Sequence, residues 1–411
     1  MTVWTPVWSV TIDGTEYKNV TLANLTIGSG RTDIYSQAIA GYCNLTMINT
    51  NGASIAVNVN SSVSVKVNNS SGTAVAIFGG YVTDVIVGVQ SGGSIGITQT
   101  IQITALGALS RLPKVLTQGV LAKALDGAQI RTILEQALFA QWNAVPASLA
   151  WNAVDPTLTW ANAYNTGLGE VDTGNYELAA RSAATTDIYS LVAALATSGL
   201  GYLYENSSGQ ISYADSSHRS VYLAANGYVD VSANHAFANN LETATRVGDV
   251  RNSVTINYNN GGQASASDAA SIALYGTLAQ NIDTTLHNSA DATSQANFYL
   301  TLRAYPKANF NQISFPLGNP EIDNNDRNSL LNVFMGMPVN ITDLPINMGS
   351  NFQGFVEGWQ FQAGIKSLTL SLYLTPIAYS LQAFRWQNVP VGEYWNTIEP
   401  TLDWLNATVV A

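Results

Sequence analysis

Phe78-Gly79-Gly80-Tyr81-Val82 and Phe352-Gln353-Gly354-Phe355-Val356 are two copies of one pattern, Phe-x-Gly-aromatic-Val, set far apart in the chain. A short Val/Ile run precedes each: Ser64-Val65-Lys66-Val67 in one case, Met337-Pro338-Val339-Asn340-Ile341 in the other. A strictly alternating segment follows each, Ile101-Gln102-Ile103-Thr104 and then Ser367-Leu368-Thr369-Leu370-Ser371-Leu372-Tyr373-Leu374. Period-two alternation puts one face of a strand in a core and leaves the other polar. A chain carrying one β-module twice places two equivalent surfaces side by side, the arithmetic of a ring or tube more than of a catalyst.

Working outward, residues 1–112 read as a first β domain, a barrel or sandwich. Trp8, Val10 and Ile12 alternate before the turn signal Asp13-Gly14, and Ile55/Val57/Val59 and Val63/Val65/Val67 alternate in the same way. The period changes near Leu125, where Asp126 is a candidate helix cap followed by Ile130, Ile133, Leu134 and Leu138 at helical spacing. A second helix is expected from Thr185 to about Thr197, stopped by Gly199, and then a hairpin over Tyr202–Tyr204 and Gln210–Tyr213. These make an α+β insertion over 113–225. A second β domain covers 226–380, with a strand at Val254–Tyr258 and one helix from Asp291 to Tyr305, capped by Asp291 and stopped by Pro306. The segment 381–411 is aromatic and punctuated by proline.

Composition bounds the function classes. Of 411 residues only 10% are charged, against about 25% in ordinary soluble domains. Such a surface suits a shell covered by neighbouring subunits, or equally an extracellular β-rich protein. A net charge of −11, from 16 basic and 27 acidic residues, offers no basic stripe for phosphates and argues against tightly bound nucleic acid. Cys43 is the single cysteine, so no intrachain disulfide forms. Met1-Thr2-Val3-Trp4 shows no secretory pattern, and no window approaches a membrane span.

The chemical motifs are weak. Gly92-Gly93-Ser94-Ile95-Gly96 fits a hydrolase nucleophile elbow in letters only, because it joins two β-segments instead of a strand and a helix. His218, His235 and His287 lack metal-ligand spacing, which argues against zinc. Glu321-Ile322-Asp323-Asn324-Asn325-Asp326 starts like a calcium loop but has Asp326 where glycine is needed and Asn332 where glutamate is needed. Asp33, Asp84, Glu357 and Glu393 could pair for glycoside cleavage only if the fold brought two of them across a cleft. No catalytic residue, cofactor or metal is assigned.

A second echo joins Trp151-Asn152-Ala153-Val154-Asp155-Pro156-Thr157-Leu158-Thr159-Trp160 to Trp395-Asn396-Thr397-Ile398-Glu399-Pro400-Thr401-Leu402-Asp403-Trp404. One reading is a compact turn whose indoles pack on the parent domain. The other is a docking peptide, with Trp395, Pro400 and Trp404 as its anchors.

The run Thr245-Arg246-Val247-Gly248-Asp249-Val250-Arg251-Asn252-Ser253-Val254-Thr255-Ile256, then Asp268-Ala269-Ala270-Ser271-Ile272-Ala273-Leu274-Tyr275-Gly276, the Asp291 helix and the Tyr305-Pro306 exit complete a motif order. It resembles the baseplate hub, or tail-tip minor tail proteins, of long-tailed siphovirus-type bacteriophages, especially those infecting actinobacteria. The resemblance implies two tail-tube-like barrels per chain joined by an α+β insertion, with Phe78, Gly80, Tyr81, Phe352, Gly354 and Phe355 in the barrel scaffold. Gly79, Gly80 and Gly354 would there relieve crowding at a bulge or bend. It also implies a homotrimer whose six barrels match a six-fold tube and present three-fold symmetry below. The implied partners are distal tail and tube proteins, tape-measure protein, and tail fibre or receptor-binding proteins. DNA would pass only transiently through the lumen, and the place would be the virion tail tip after synthesis in the host cytoplasm. Some relatives carry long extensions with peptidoglycan-cleaving or receptor-binding domains. This sequence stops at Ala411, so those activities are not expected of it. A hexameric distal tail protein normally carries one such barrel, which the duplication argues against. The alternative from another class is a cell-wall polysaccharide-binding module.

Overall fold

The computed structural model describes residues 4–17, 21–34, 36–49, 54–89, 99–140, 168–237, 241–259, 261–310, 312–364, 366–383 and 408–409. Repeat one holds β1 (Trp8–Ile12), β2 (Thr15–Tyr17), β3 (Thr21–Gly30), β4 (Ile39–Asn49), β5 (Ser62–Asn68), β6 (Ala74–Val89) and β7 (Gln99–Leu106). Alternation fixes their faces: Val63, Val65 and Val67 on β5 lie opposite Ile12, Val10 and Trp8 on β1 and are fully buried. Asp13 and Gly14 make the β1–β2 turn with positive φ at both, as the two-residue hairpin demands. The strand expected over Ile55–Val59 does not form. Ala56 donates its N–H to the Tyr17 hydroxyl instead of to a ladder.

The insertion contributes α1 (Asp126–Ala140), β8 (Leu168–Val171), α2 (Ile188–Ser198), β9 (Tyr202–Glu205), β10 (Ile211–Ala214) and α3 (His218–Asn226). The expected hairpin is β9–β10, and β8 adds in parallel to β10. Asp187 caps α2 by accepting the Ser190 N–H at 2.8 Å, so the helix begins at Ile188, the first residue of its apolar stripe, and not at Thr185. Then come β11 (Val229–Ser232), a small sheet of β12 (Ser253–Tyr258), β13 (Gly262–Ser267) and β14 (Ala279–Asp283), and α4 (Ser289–Arg303). Asn288, not Asp291, holds the α4 cap position. Asp291 sits in the first turn, where the helix dipole favours a carboxylate.

Repeat two contains β15 (Ile313–Pro316), α5 (Asn324–Leu331), β16 (Pro338–Thr342), β17 (Phe352–Ala363) and β18 (Leu368–Pro376). The two repeats do not form separate closed barrels. They fuse through a β17·β3 pairing into one open twelve-stranded sheet, because β17 is long enough to serve both. One apolar core runs through both repeats, from Val10, Ile27 and Phe78 to Phe315, Phe361 and Leu372. A second core gathers Ile130, Leu195, Leu203 and Tyr213 of the insertion with Val254, Ile256, Leu286 and Ala296. The chain between 226 and 380 is thus divided between the two cores.

Candidate functional site at the joint between the repeats

The six motif residues occupy matching ladder positions. Val65 faces Phe78 and Val63 faces Gly80 in repeat one; Ile341 faces Phe352 and Val339 faces Gly354 in repeat two. Tyr81 then meets Leu106 and Val82 meets Ala105, as Phe355 meets Thr375 and Val356 meets Leu374. The ladder slips in both copies at the next residue, Thr83 in one and Glu357 in the other. Backbone brackets repeat as well: Val82 exchanges bonds with Asn60 and Ser61, and Val356 with Gly336 and Met337. The glycines sit three residues before the slip. A Cβ on Gly80 would lie 2.8 Å from the Phe78 ring, and one on Gly354 2.6 Å from the Phe352 ring. Each phenylalanine folds over its own glycine, so the pair is read as a unit.

The slip positions carry different chemistry. Thr83 donates its hydroxyl to the Thr104 carbonyl at 3.1 Å. Glu357, 1% exposed, instead accepts from Arg31 Nε at 2.8 Å and from Arg219 Nη1 and Nη2 at 2.8 and 2.9 Å. Arg31 follows β3 of repeat one, Arg219 belongs to α3 of the insertion, and Glu357 lies in β17 of repeat two. One carboxylate therefore ties three parts of the chain. Burial alone would raise the Glu357 carboxyl, yet the two guanidinium groups hold it at about 2. Arg219 also donates to Ser380 Oγ at 2.9 Å and lies over the Tyr202 and Phe355 rings. Below the triad the strands approach closely: a Cβ on Gly358 would lie 2.5 Å from the Arg31 carbonyl, and Gly30 has φ +87°. From there β17 pairs with β3, Gly358 with Gly30 through Ala363 with Leu25.

The insertion docks on repeat one through a second buried carboxylate. Glu205, at the end of β9, accepts the Gly41 N–H at 2.7 Å and the Leu109 N–H. Burial pushes this carboxyl up to about 7 against those two bonds. A Cβ on Gly107 would overlap it, which is why glycine stands there. Between the two cores lies a cleft of about 590 Å³ whose walls include Gln37, Tyr202, Arg219, Tyr299, Arg303 and Ser380.

The other sequence candidates disperse. Asp33 accepts from Ser36, Asp84 stands exposed on β6, and Glu357 serves the triad. Asp323 caps α5, donating nothing to a calcium loop: it accepts the Asn325 and Asp326 N–H groups at 2.7 and 2.8 Å. Asp126 begins α1 but accepts from Tyr176 N–H and the Tyr213 hydroxyl. Gly92–Gly96, Glu393, Trp395, Pro400, Trp404 and the Trp151–Trp160 stretch lie outside the described residues. Two features escaped sequence reading. The Arg–Glu–Arg triad spans 326 and 138 residues. Glu170, Asp172 and His218 also converge, with one ligand atom from each within 4.8 Å of the others, a set that could reach a cation. In that set His218 Nδ1 and Asp172 Oδ2 are 2.8 Å apart. Burial disfavours the imidazolium, but the Asp172 bond and charge outweigh it and raise the His218 pKa.

No protein-family model matches the chain, and no curated protein matches it. Among solved structures it is similar to the 43 kDa tail protein of prophage MuSo2 from Shewanella oneidensis, with TM-score 0.55 and 12% identity over 91% of this chain and 99% of that one. It is likewise similar to a tail protein from Neisseria meningitidis MC58, with TM-score 0.56 and 11% identity over 92% of this chain and 98% of that one. At such identities the likeness is one of fold.

Proposed function

We propose that the chain is a structural, non-enzymatic component of a phage-type tail, and within it the hub: a homotrimeric ring whose six repeats continue the tube lumen above and present three-fold symmetry below. The observation that carries this reading is the duplicated module, the same ladder, slip and glycine twice, with the copies joined edge to edge by β17 and β3. The fold shared with two tail proteins supports the tail setting. In that setting DNA passes transiently through the lumen, and tube, tape-measure and host-recognition proteins are the neighbours. Trp395, Pro400 and Trp404 are the candidate anchors for one of them. The test is class averaging of the purified chain by electron microscopy, with its mass in solution. Three-chain rings with six densities around a lumen are expected. Particles of another symmetry, or direct binding of cell-wall glycan by single chains, would overturn the hub. A chain truncated after Gln387 should still form rings but lose partner recruitment.

A further inference from the structure

The internal joint has an unoccupied twin. On β17 the residues after the slip, Gly358–Ala363, pair with β18 on one edge and with β3 on the other. Their counterparts on β6, Asp84–Val89, pair with β7 alone among the described residues. Burial records the difference position by position. Phe361 is 1% exposed and its counterpart Val87 61%; Ala363 is 6% exposed and its counterpart Val89 58%. Ile86, on the opposite face, is also 61% exposed. Three apolar side chains along a strand edge unpaired among the described residues make a surface that soluble proteins normally cover or interrupt with charge.

Repeat two carries the matching half. In repeat one β3 pairs with β4, which pairs with β7. In repeat two Thr243 and Ala244 pair with Phe310 and Asn309, just ahead of β15, which pairs with β18. Residues 241–245, around that bridge, therefore stand to repeat two as β3 stands to repeat one. Among the described residues this segment has a ladder partner on one side only. Val247, just past its end, is half exposed.

We propose that the Asp84–Val89 edge of β6 receives residues 241–245 of a second copy of this chain, repeating between chains the β17·β3 joint found within one. The two surfaces differ and lie on different repeats, so the contact is head-to-tail and generates a ring when its rotation closes. Thr83 stands where Glu357 stands in the internal joint, so the joint between chains lacks the carboxylate that ties Arg31 and Arg219. This rests on the ring reading above and adds where the copies meet.

The test combines the Ile86→Cys/Thr243→Cys pair with Val87→Asp on the full chain. Cys43 is fully buried and does not compete for oxidation. Oxidation of the double variant should give interchain disulfides and covalent dimers and trimers on a denaturing gel. Val87→Asp should leave the far-UV spectrum unchanged and lose the ring mass, because the side chain is exposed in the single chain. Rings that persist in Val87→Asp, or assembled rings that never cross-link, overturn this joint while leaving the hub reading intact. A wild-type chain that stays single at every concentration overturns self-association through this edge. The hub reading is then decided separately, by the symmetry of its density in intact tails.

Discussion

Glu357→Gln is the most informative single change. The amide keeps the shape of the side chain but removes the charge of the carboxylate that accepts from Arg31 and Arg219, which are 8% and 6% exposed. Removing one member of a buried ion network typically costs about 3–5 kcal/mol, because the remaining charges stay desolvated and uncompensated. Proton linkage gives an independent figure. A carboxyl held at about 2 instead of its ordinary 4.5 corresponds to about 3 kcal/mol. The sign follows from the depressed value: this stability is present above pH 4.5 and is lost as pH falls toward 2. Urea unfolding at pH 7, followed by tryptophan emission with Trp359 buried two residues away, should show a lower midpoint for the variant. The gap between wild type and variant should narrow as the buffer is taken from pH 5 to pH 3. A loss below about 1 kcal/mol, or a gap constant with pH, would refute the assignment of the triad as the tie among repeat one, repeat two and the insertion.

Other outcomes follow from the same geometry. Gly80→Ala and Gly354→Ala should each destabilise by about 1–3 kcal/mol, as overpacking does, measured by chemical denaturation; a neutral result at either would break the equivalence of the repeats. Glu205 has a raised folded pKa, so its contribution favours the folded state below pH 4.5 and is lost as pH rises through about 7. Thermal unfolding should therefore fall across that window in the wild type, and Glu205→Gln should flatten the fall. Asp172→Asn should lower the His218 pKa, read by an NMR titration of the imidazole; an unchanged titration would show that Asp172 does not set it.

What the sequence made legible was whatever depends on neighbours along the chain. Phe78-x-Gly80 and Phe352-x-Gly354 could be matched by eye because a phenylalanine folding over a glycine two residues on is a local constraint. Alternation likewise exposed Val63, Val65 and Val67 as one buried face. The Ile55–Val59 strand failed because alternation shows that a segment could lie on a sheet, not that an edge is available to receive it. Closure into two barrels failed for a related reason: nothing local announces that β17 continues past its own repeat onto β3. Glu357 was visible only as one acid among several. Its role depends on Arg31 and Arg219, and spacing holds no trace of either.

The shared strand has a mechanical consequence. Because β17 is at once the central strand of repeat two and the partner of β3, turning one repeat against the other would shear six consecutive ladder pairs and pull Glu357 from its arginines. Each chain thus behaves as a stiff double segment. In an assembly joined as proposed above, force would be relieved at the contacts between chains, where a neutral threonine stands in the place of the glutamate.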